Sequence, residues 1–346
     1  MDQPPTDNTS EFLAHSQLLI DKDGEKLVTI VKATFELPPD GGPLELAPEW
    51  SRRVVRKVDV PWGEPEKSSI MFPCDLCLRK PGTDVVIVAR GCAPNGEPAA
   101  TFDVAARVGK LQKLLAVFGL RVWQAGGAGL TPPRPIQEID LRFDYAWGGL
   151  DKSDPTRIVE EPRNPVGMGV ARDLAALTHQ PAPSIEDPRD LILTARTRPP
   201  PAGVGPIGRH WEPRRKYVGT YDNAWLESRA PLPPVDQDDR MNSCATPDLH
   251  SSTPLVGGEE VALLNMTRGG GAKRFHLPVT GVDIFFEVKG REPETLRPSL
   301  DTVIIDAYET QPGEPIAVEL VWRAYVKAPR RMKDVRIRVS ERGAAL

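Results

Sequence analysis

The segment 74–123 constrains the fold more than any other part of the chain. Within it, Asp84–Cys92 is a β-branched run that is apolar on both faces, and Pro94-Asn95-Gly96 is typical of a turn. The next run, Thr101–Val108, alternates apolar and polar residues, as in a strand with one face in solvent. After a Gly-Lys turn, Leu114–Trp123 is again apolar on both faces. The segment therefore predicts three consecutive antiparallel strands, and it contains no nucleophile motif or phosphate loop.

Strand patterns recur toward both ends of the chain. A hairpin is predicted around Asp21-Lys22-Asp23-Gly24, and Ile316–Val326 alternates with Glu319 and Arg323 on the predicted solvent face. Further strands are predicted at Arg52–Val60, Ile136–Trp147, Glu260–Asn265, Arg274–Leu277, Val282–Lys289, Thr302–Tyr308 and Val335–Val339. Short strands separated by turn residues are typical of antiparallel sheets packed as a sandwich. We therefore predict a mainly β fold with two antiparallel β-sandwich-like lobes.

The middle of the chain differs in composition from both ends. It contains the proline-dense segments Pro181–Pro188 and Pro199–Pro206, and proline is excluded from central strands and helix interiors. Short helices are predicted only at Val170–Thr178, Tyr221–Arg229 and Asp238–Ser243. The chain of 346 residues is therefore divided into an N-terminal β lobe at 1–150, a proline-rich, mostly irregular wrapping segment at 151–258 and a C-terminal β lobe at 259–346.

Overall charge and segment composition exclude several classes of protein. A net charge of −4 argues against a nucleic-acid or anionic-membrane partner, and no apolar run approaches the ~20 residues that span a membrane. The polar, acidic N-terminus lacks the features of a signal peptide. Four cysteines without secretory features indicate reduced thiols. We therefore expect a cytoplasmic protein that contacts neither nucleic acid nor membrane.

Basic residues crowd the C-terminal strands against this acidic background. A solvated strand face explains most of the cluster, and a patch for an acidic partner is the alternative interpretation. We predict that the partner-binding residues are Arg330, Arg331, Arg336 and Arg338. The hypothesis is that these strands and the proline-rich middle segment form the surface that contacts the partner.

Motifs that could carry chemistry are present but incomplete. Cys74-x-x-Cys77 lacks the second pair of a zinc site, so buried structural thiols are favoured over metal or redox chemistry. The segment 203–208 fits GxGxxG, but prolines stand where a strand and a helix are required. Gly167-Met168-Gly169 before a predicted helix indicates a helix-entry turn or an anion site. We predict no catalytic, cofactor-binding or metal-ligating residues and no cofactor.

Several segments taken together resemble the bacterial domain-of-unknown-function family 2169. The resemblance extends over roughly residues 17 to 290. It is carried by Lys32–Phe35, Asp75 with Lys80–Asp84, Val108–Lys110, Val117–Trp123, Trp147–Gly149, Arg163–Gly169, Asp236–Asp248, Leu255–Leu264 and Phe275–Pro278. Each motif is short, and their order and spacing together make the resemblance specific.

The resemblance implies a function in type VI secretion. Members of that family are similar to cytoplasmic adaptors or chaperones that hold a toxic effector and help to load it onto the spike protein. The expected partners are therefore a secreted effector and the spike protein, and the expected function is non-enzymatic. Two alternatives remain at this point. One is a hydrolase-like enzyme with a site between the lobes, using Cys92 or Cys244 with a histidine. The other is a structural component of a secretion or phage-tail baseplate.

Overall fold

The computed structural model describes residues 4–343. Within this range the strands are, in order, β1 Thr6–Asn8, β2 Leu13–Asp21, β3 Gly24–Glu36, β4 Glu45–Leu46, β5 Val60–Pro61, β6 Ile70–Phe72, β7 Thr83–Val88, β8 Arg90–Cys92, β9 Thr101–Val108, β10 Leu111–Phe118, β11 Glu138–Asp140, β12 Trp147–Gly148, β13 Leu150–Asp151, β14 Val159–Glu160, β15 Met168–Gly169, β16 Ile185–Glu186, β17 His250–Ser251, β18 Glu260–Leu264, β19 Ala272–His276, β20 Gly281–Val288, β21 Glu294–Leu296, β22 Leu300–Asp306, β23 Ala317–Lys327 and β24 Val335–Arg342.

Helical structure is short wherever it occurs in these residues. The one α-helix, α1, spans Asn223–Ser228 and begins after Asp222, whose side chain accepts a hydrogen bond from the Trp225 N–H. Single 3-10 turns lie at Glu49–Ser51, Pro94–Gly96, Ala125–Gly127, Phe143–Tyr145, Leu174–Leu177, Arg215–Tyr217, Asp239–Asn242, Pro247–Leu249 and Met332–Asp334. No helix in residues 4–343 has the length and apolar character needed to cross a bilayer.

Three larger sheets carry the fold. The seven-stranded sheet has the order β17-β7-β22-β23-β3-β2, with β4 also paired to β3. The five-stranded sheet has the order β16-β10-β9-β18-β19, and the four-stranded sheet has the order β1-β24-β20-β21. One continuous cluster of buried apolar side chains draws on all three. The mainly β fold class is therefore confirmed.

Strands from the two ends of the chain pair with each other. In the seven-stranded sheet, β3 lies beside β23, and β7 runs parallel to β22. In the five-stranded sheet, β9 lies beside β18. The sheets therefore do not follow the boundaries predicted at residues 150 and 258, because segments 1–150 and 259–346 both contribute strands to all three, β1 pairing with β24 in the four-stranded sheet. The segment 151–258 contributes only two-residue strands to these sheets, at β16 and β17.

The predicted strand positions agree with the structure more often than the predicted pairing between strands does. The β9 strand has the predicted bounds, and Phe102, Val104, Ala106 and Val108 are buried as its alternation indicates. The prediction of three consecutive antiparallel strands was wrong, because β7 lies in a different sheet from the β9–β10 hairpin. The single strands predicted at Arg52–Val60 and Ile136–Trp147 were also wrong, since both segments are mostly irregular.

Candidate partner-binding surface

Among residues 4–343, β1 and β2 each end a sheet without a further strand paired to their outer edge. The β2–β3 hairpin turns through two residues, with Asp21 paired to Gly24, and the Asp21 carboxylate accepts from the Asp23 N–H at 2.8 Å. Gly24 has a φ of +104°, a conformation that favours glycine. Strand β2 ends the seven-stranded sheet and β1 ends the four-stranded sheet. An edge strand of this kind leaves backbone donors and acceptors available to a further strand.

A groove of about 980 Å³ runs along the β2 edge. Its apolar wall includes Leu18 and Ile20 of β2 together with Met332, and Ile20 is 51% exposed. Its charged lining residues are Glu25, Lys57, Arg331 and Lys333. Pro4 and Pro5, which precede β1, also line the groove. The groove thus combines an open strand edge, apolar surface and an excess of positive charge.

The four predicted partner-binding arginines are all exposed, but the structure does not gather them in one place. Arg331 lines the groove. Arg336 and Arg338 lie on the outer face of the four-stranded sheet, opposite Glu287 and Phe285 of β20. The Arg338 guanidinium stacks over the Phe285 ring at 4.4 Å from its centroid. Arg330 lies in the loop between β23 and β24. They therefore occupy two neighbouring surfaces and a loop.

A buried ionic cluster covers the other side of the seven-stranded sheet. The Lys32 ammonium lies 2.5 Å from the Asp75 carboxylate and 2.9 Å from that of Glu319, and all three side chains are inaccessible to solvent. Arg56 binds Glu319 through two hydrogen bonds of 2.5 Å, and Arg323 pairs with Asp301. Burial alone would raise the pKa of Glu319, but the charges of Lys32 and Arg56 lower it to about 2. The cluster is a structural ion network in which three cations balance three carboxylates.

The sequence interpretation of this face of β23 was wrong. Glu319 and Arg323 were assigned to solvent, whereas both are buried. The residues Arg56 and Asp75 cover this face of the sheet, because Arg56 binds Glu319 of β23 and Asp75 binds Lys32 of β3. The two are also joined to each other, since the Asp75 N–H donates to the Arg56 carbonyl at 2.8 Å. The alternation itself is real, but it separates an apolar buried face from an ionic buried face.

A second buried ion pair fastens the middle segment to β7. The Asp84 carboxylate lies 2.7 Å from the Lys80 ammonium, accepts from the Cys244 N–H at 2.7 Å and meets His250 Nδ1 at 2.9 Å. Burial opposes ionisation here, but Lys80 and His250 hold the pKa of Asp84 well below its usual range. Gly82, at a φ of +150°, makes room for this arrangement, because a Cβ there would lie 2.0 Å from the Ser251 carbonyl oxygen.

The thiols considered for chemistry are placed as structural groups. Burial raises the pKa of Cys244 to about 11, and its Sγ lies 3.6 Å from the Lys80 ammonium. Burial likewise raises the pKa of Cys92 to about 11 and raises the pKa values of Cys74 and Cys77. A thiol that stays protonated at neutral pH is a poor nucleophile. Residues 4–343 contain no group of three or more His, Cys, Asp or Glu side chains arranged to hold a metal ion.

Neither of the two glycine motifs leads directly into a helix. No helix follows segment 203–208, and a Cβ on Gly203 would lie 2.6 Å from the Phe143 ring, so this glycine permits close packing. Gly167-Met168-Gly169 does not enter a helix: Met168 and Gly169 pair in parallel with Trp147 and Gly148. The helix-entry interpretation of this motif was therefore wrong.

Asp306 is a carboxylate whose ionisation opposes folding. It ends β22, where Arg53 lies 3.2 Å away and the Tyr308 N–H donates at 3.3 Å. Burial raises the pKa of Asp306 from 3.8 to about 6. Since the folded state then binds the proton more tightly than the unfolded state, Asp306 lowers stability as the pH rises through this window.

We predict that Asp306→Asn stabilises the protein at neutral pH. The neutral amide removes the cost of a buried negative charge, so the free energy of unfolding should rise by about 1–2 kcal/mol at pH 7. The gain should vanish below pH ~4, where the wild-type carboxyl is protonated in both states. Urea unfolding across this pH range measures the effect, with exposed Asp103→Asn as the matched control. A loss of stability at pH 7 would contradict the prediction.

Comparison with known proteins assigns the chain to a family. A family model described as "Uncharacterized protein conserved in bacteria (DUF2169)" matches residues 22–323. No curated protein and no solved structure matches the chain. The matched range includes both buried ionic groups and strand β3, and it ends within β23. The chain therefore belongs to the bacterial protein family DUF2169.

Proposed function

We propose that the chain is a non-enzymatic adaptor or chaperone that binds a secreted toxic effector and helps to load it onto the type VI secretion spike protein. The observation that best supports this function is the pair of open strand edges, β1 and β2, beside a groove lined by cations. Strand edges offer backbone hydrogen bonds to an extended partner segment, which is a common mode of protein recognition. The partners are proteins, and the adaptor acts in the cytoplasm.

The interior supports a scaffold role rather than a reaction centre. The Lys32 ammonium contacts the carboxylates of both Asp75 and Glu319, and the Asp84 carboxylate contacts Lys80, the Cys244 N–H and His250. The thiol of Cys244 faces an ammonium, and the nearby imidazole of His250 is bonded to Asp84 instead. A rigid interior suits a protein that presents a fixed surface to a partner.

Co-expression tests the proposal directly. The tagged chain is co-expressed with the protein encoded by the adjacent gene and, separately, with the spike protein of the same secretion system. We expect a stoichiometric complex with the effector that survives affinity purification and gel filtration. We also expect the effector to reach the spike protein only when this chain is present, because an adaptor must contact both.

The outcomes separate the alternatives. Co-purification with sheath or baseplate proteins, without an effector, would indicate a structural component. An activity abolished by Cys244→Ala or by His250→Ala, in protein that remains folded, would indicate an enzyme. Absence of any complex with the adjacent gene product or with the spike protein would contradict the adaptor proposal.

A further inference from the structure

The outer edge of β2 presents a defined set of backbone groups that pair with no other strand in residues 4–343. Across a two-residue hairpin turn the closing pair, Asp21 and Gly24, is hydrogen-bonded, so alternate residues of β2 bond to β3 and those between them face outward. Glu25 is the residue of β3 that is paired with Ile20. Its carbonyl accepts from the Ala328 N–H at 3.0 Å and therefore points away from β2, as expected if Glu25 and Ile20 do not bond to each other. Ser16, Leu18 and Ile20 therefore point their N–H and C=O groups into the groove.

The side chains around this edge favour a bound segment that carries some apolar residues. Leu18 packs against the main core from its partly buried position, and Met332 does so from the facing turn. Ile20 continues the same face toward solvent. On the opposite face of β2, Leu19 packs with Val55 in a separate cluster, and Lys57 follows two residues later. A strand added to β2 would thus contact apolar surface on both of its faces.

The charge of the groove differs from that of the whole protein. The groove is lined by three cationic side chains, Lys57, Arg331 and Lys333, and by the single carboxylate of Glu25. The protein as a whole carries a net charge of −4. A local excess of cations on an acidic protein favours an acidic ligand and raises its association rate.

We propose that the groove binds an extended, acidic segment of a partner protein, which pairs with the outward groups of Ser16, Leu18 and Ile20 and so extends the seven-stranded sheet. This proposal rests on the adaptor function and names the chemistry of the segment that the adaptor holds. Backbone pairing would allow segments of different sequence to bind, because every residue offers the same N–H and C=O groups. The side chains of Lys57, Arg331 and Lys333 would give the preference for acidic residues.

A second copy of this chain fits the groove less well. Pairing β2 with β2 of another copy would bring two sets of Lys57, Arg331 and Lys333 together. Like charges brought close at an interface oppose association. Charge complementarity therefore favours a foreign acidic strand over self-association.

A synthetic probe tests the charge preference. A fluorescein-labelled peptide that alternates valine and glutamate is titrated with the full chain, and a peptide that alternates valine and lysine serves as its counterpart. We expect the acidic peptide to bind at least about ten-fold more tightly at low ionic strength, with a difference that shrinks as salt is added. Arg331→Glu/Lys333→Glu should abolish or invert the preference. Lys110→Glu/Arg134→Glu, the same change of charge at exposed sites elsewhere, should leave it unchanged.

A backbone test separates strand pairing from simple charge attraction. Ile20→Pro removes one outward N–H while leaving the bonds between β2 and β3 in place, and proline is tolerated on an edge strand. We expect this variant to bind the acidic peptide about ten-fold more weakly. In the complex, hydrogen exchange should slow at the amides of Ser16, Leu18 and Ile20 and change little at Gln17 and Leu19.

Each contrary result overturns the proposal. Failure of the acidic peptide to bind, equal binding of both peptides, or binding that Ile20→Pro and Arg331→Glu/Lys333→Glu leave intact would do so. Loss of binding only in Arg336→Glu/Arg338→Glu would place the ligand on the outer face of the four-stranded sheet instead. A dimer of the free protein that Ile20→Pro dissociates would identify a second copy as the occupant. An effector complex that survives both groove variants would reject the groove while leaving the adaptor function standing.

Discussion

Lys32→Met is expected to destabilise the protein by about 3–5 kcal/mol at pH 7. The Lys32 ammonium lies between the carboxylates of Asp75 and Glu319, where no water reaches any of the three. Removing it leaves the ionic cluster with one negative charge in excess inside the protein. Breaking a buried ion pair on one side is costly because the remaining charge keeps its desolvation penalty without its partner.

Urea unfolding followed by tryptophan fluorescence measures this loss. Lys26→Met on the same strand is the matched control, since Lys26 lies 3.8 Å from Asp21 near the surface. We expect that control to change the free energy of unfolding by less than about 1 kcal/mol. An equally small effect for Lys32→Met would show that water or rearranged neighbouring side chains stabilise the carboxylates that lose the ammonium.

Asp84→Asn is expected to cost about 3 kcal/mol or more, because it leaves the buried Lys80 ammonium without its counter-ion. The amide also provides fewer acceptors for the Cys244 N–H and the His250 ring. Since these two residues belong to the middle segment, we expect faster hydrogen exchange there than in β9 and β10. Urea unfolding and hydrogen exchange by mass spectrometry report the two effects separately.

The pH dependence of the stability loss in Asp84→Asn tests whether the loss comes from the charge of the Asp84 carboxylate. The pKa of Asp84 lies below its unfolded value, so its contribution is present above the unfolded pKa of 3.8 and is lost as the pH falls through the folded pKa. The gap between the wild-type protein and Asp84→Asn should therefore narrow on acidification. The double variant Lys80→Met/Asp84→Asn should be less destabilised than the sum of its two single variants. Strict additivity would show that the pair is not coupled.

The motifs that carried the family resemblance are placed largely in the interior. Lys32 and Asp75 belong to the first ionic cluster, and Lys80, Gly82 and Asp84 form the second with its close approach to Ser251. The sequence patterns predicted strands in this part of the chain but none of the buried ion pairs that these residues form. Their spacing in the chain contains no signal of the contacts, because the atoms that meet come from distant segments.

The sequence by itself determined the local properties of this protein: where most of the longer strands lie, which residues of β9 face inward, that 151–258 is mostly irregular, and that Arg331 is exposed. Alternation and turn chemistry are set by neighbouring residues, so these features follow from local pattern. Only the tertiary structure decided that β7 runs beside β22, that Glu319 is buried and that β2 is an open edge. Such features depend on which distant segments meet, as with Lys32 and Glu319, which are 287 positions apart.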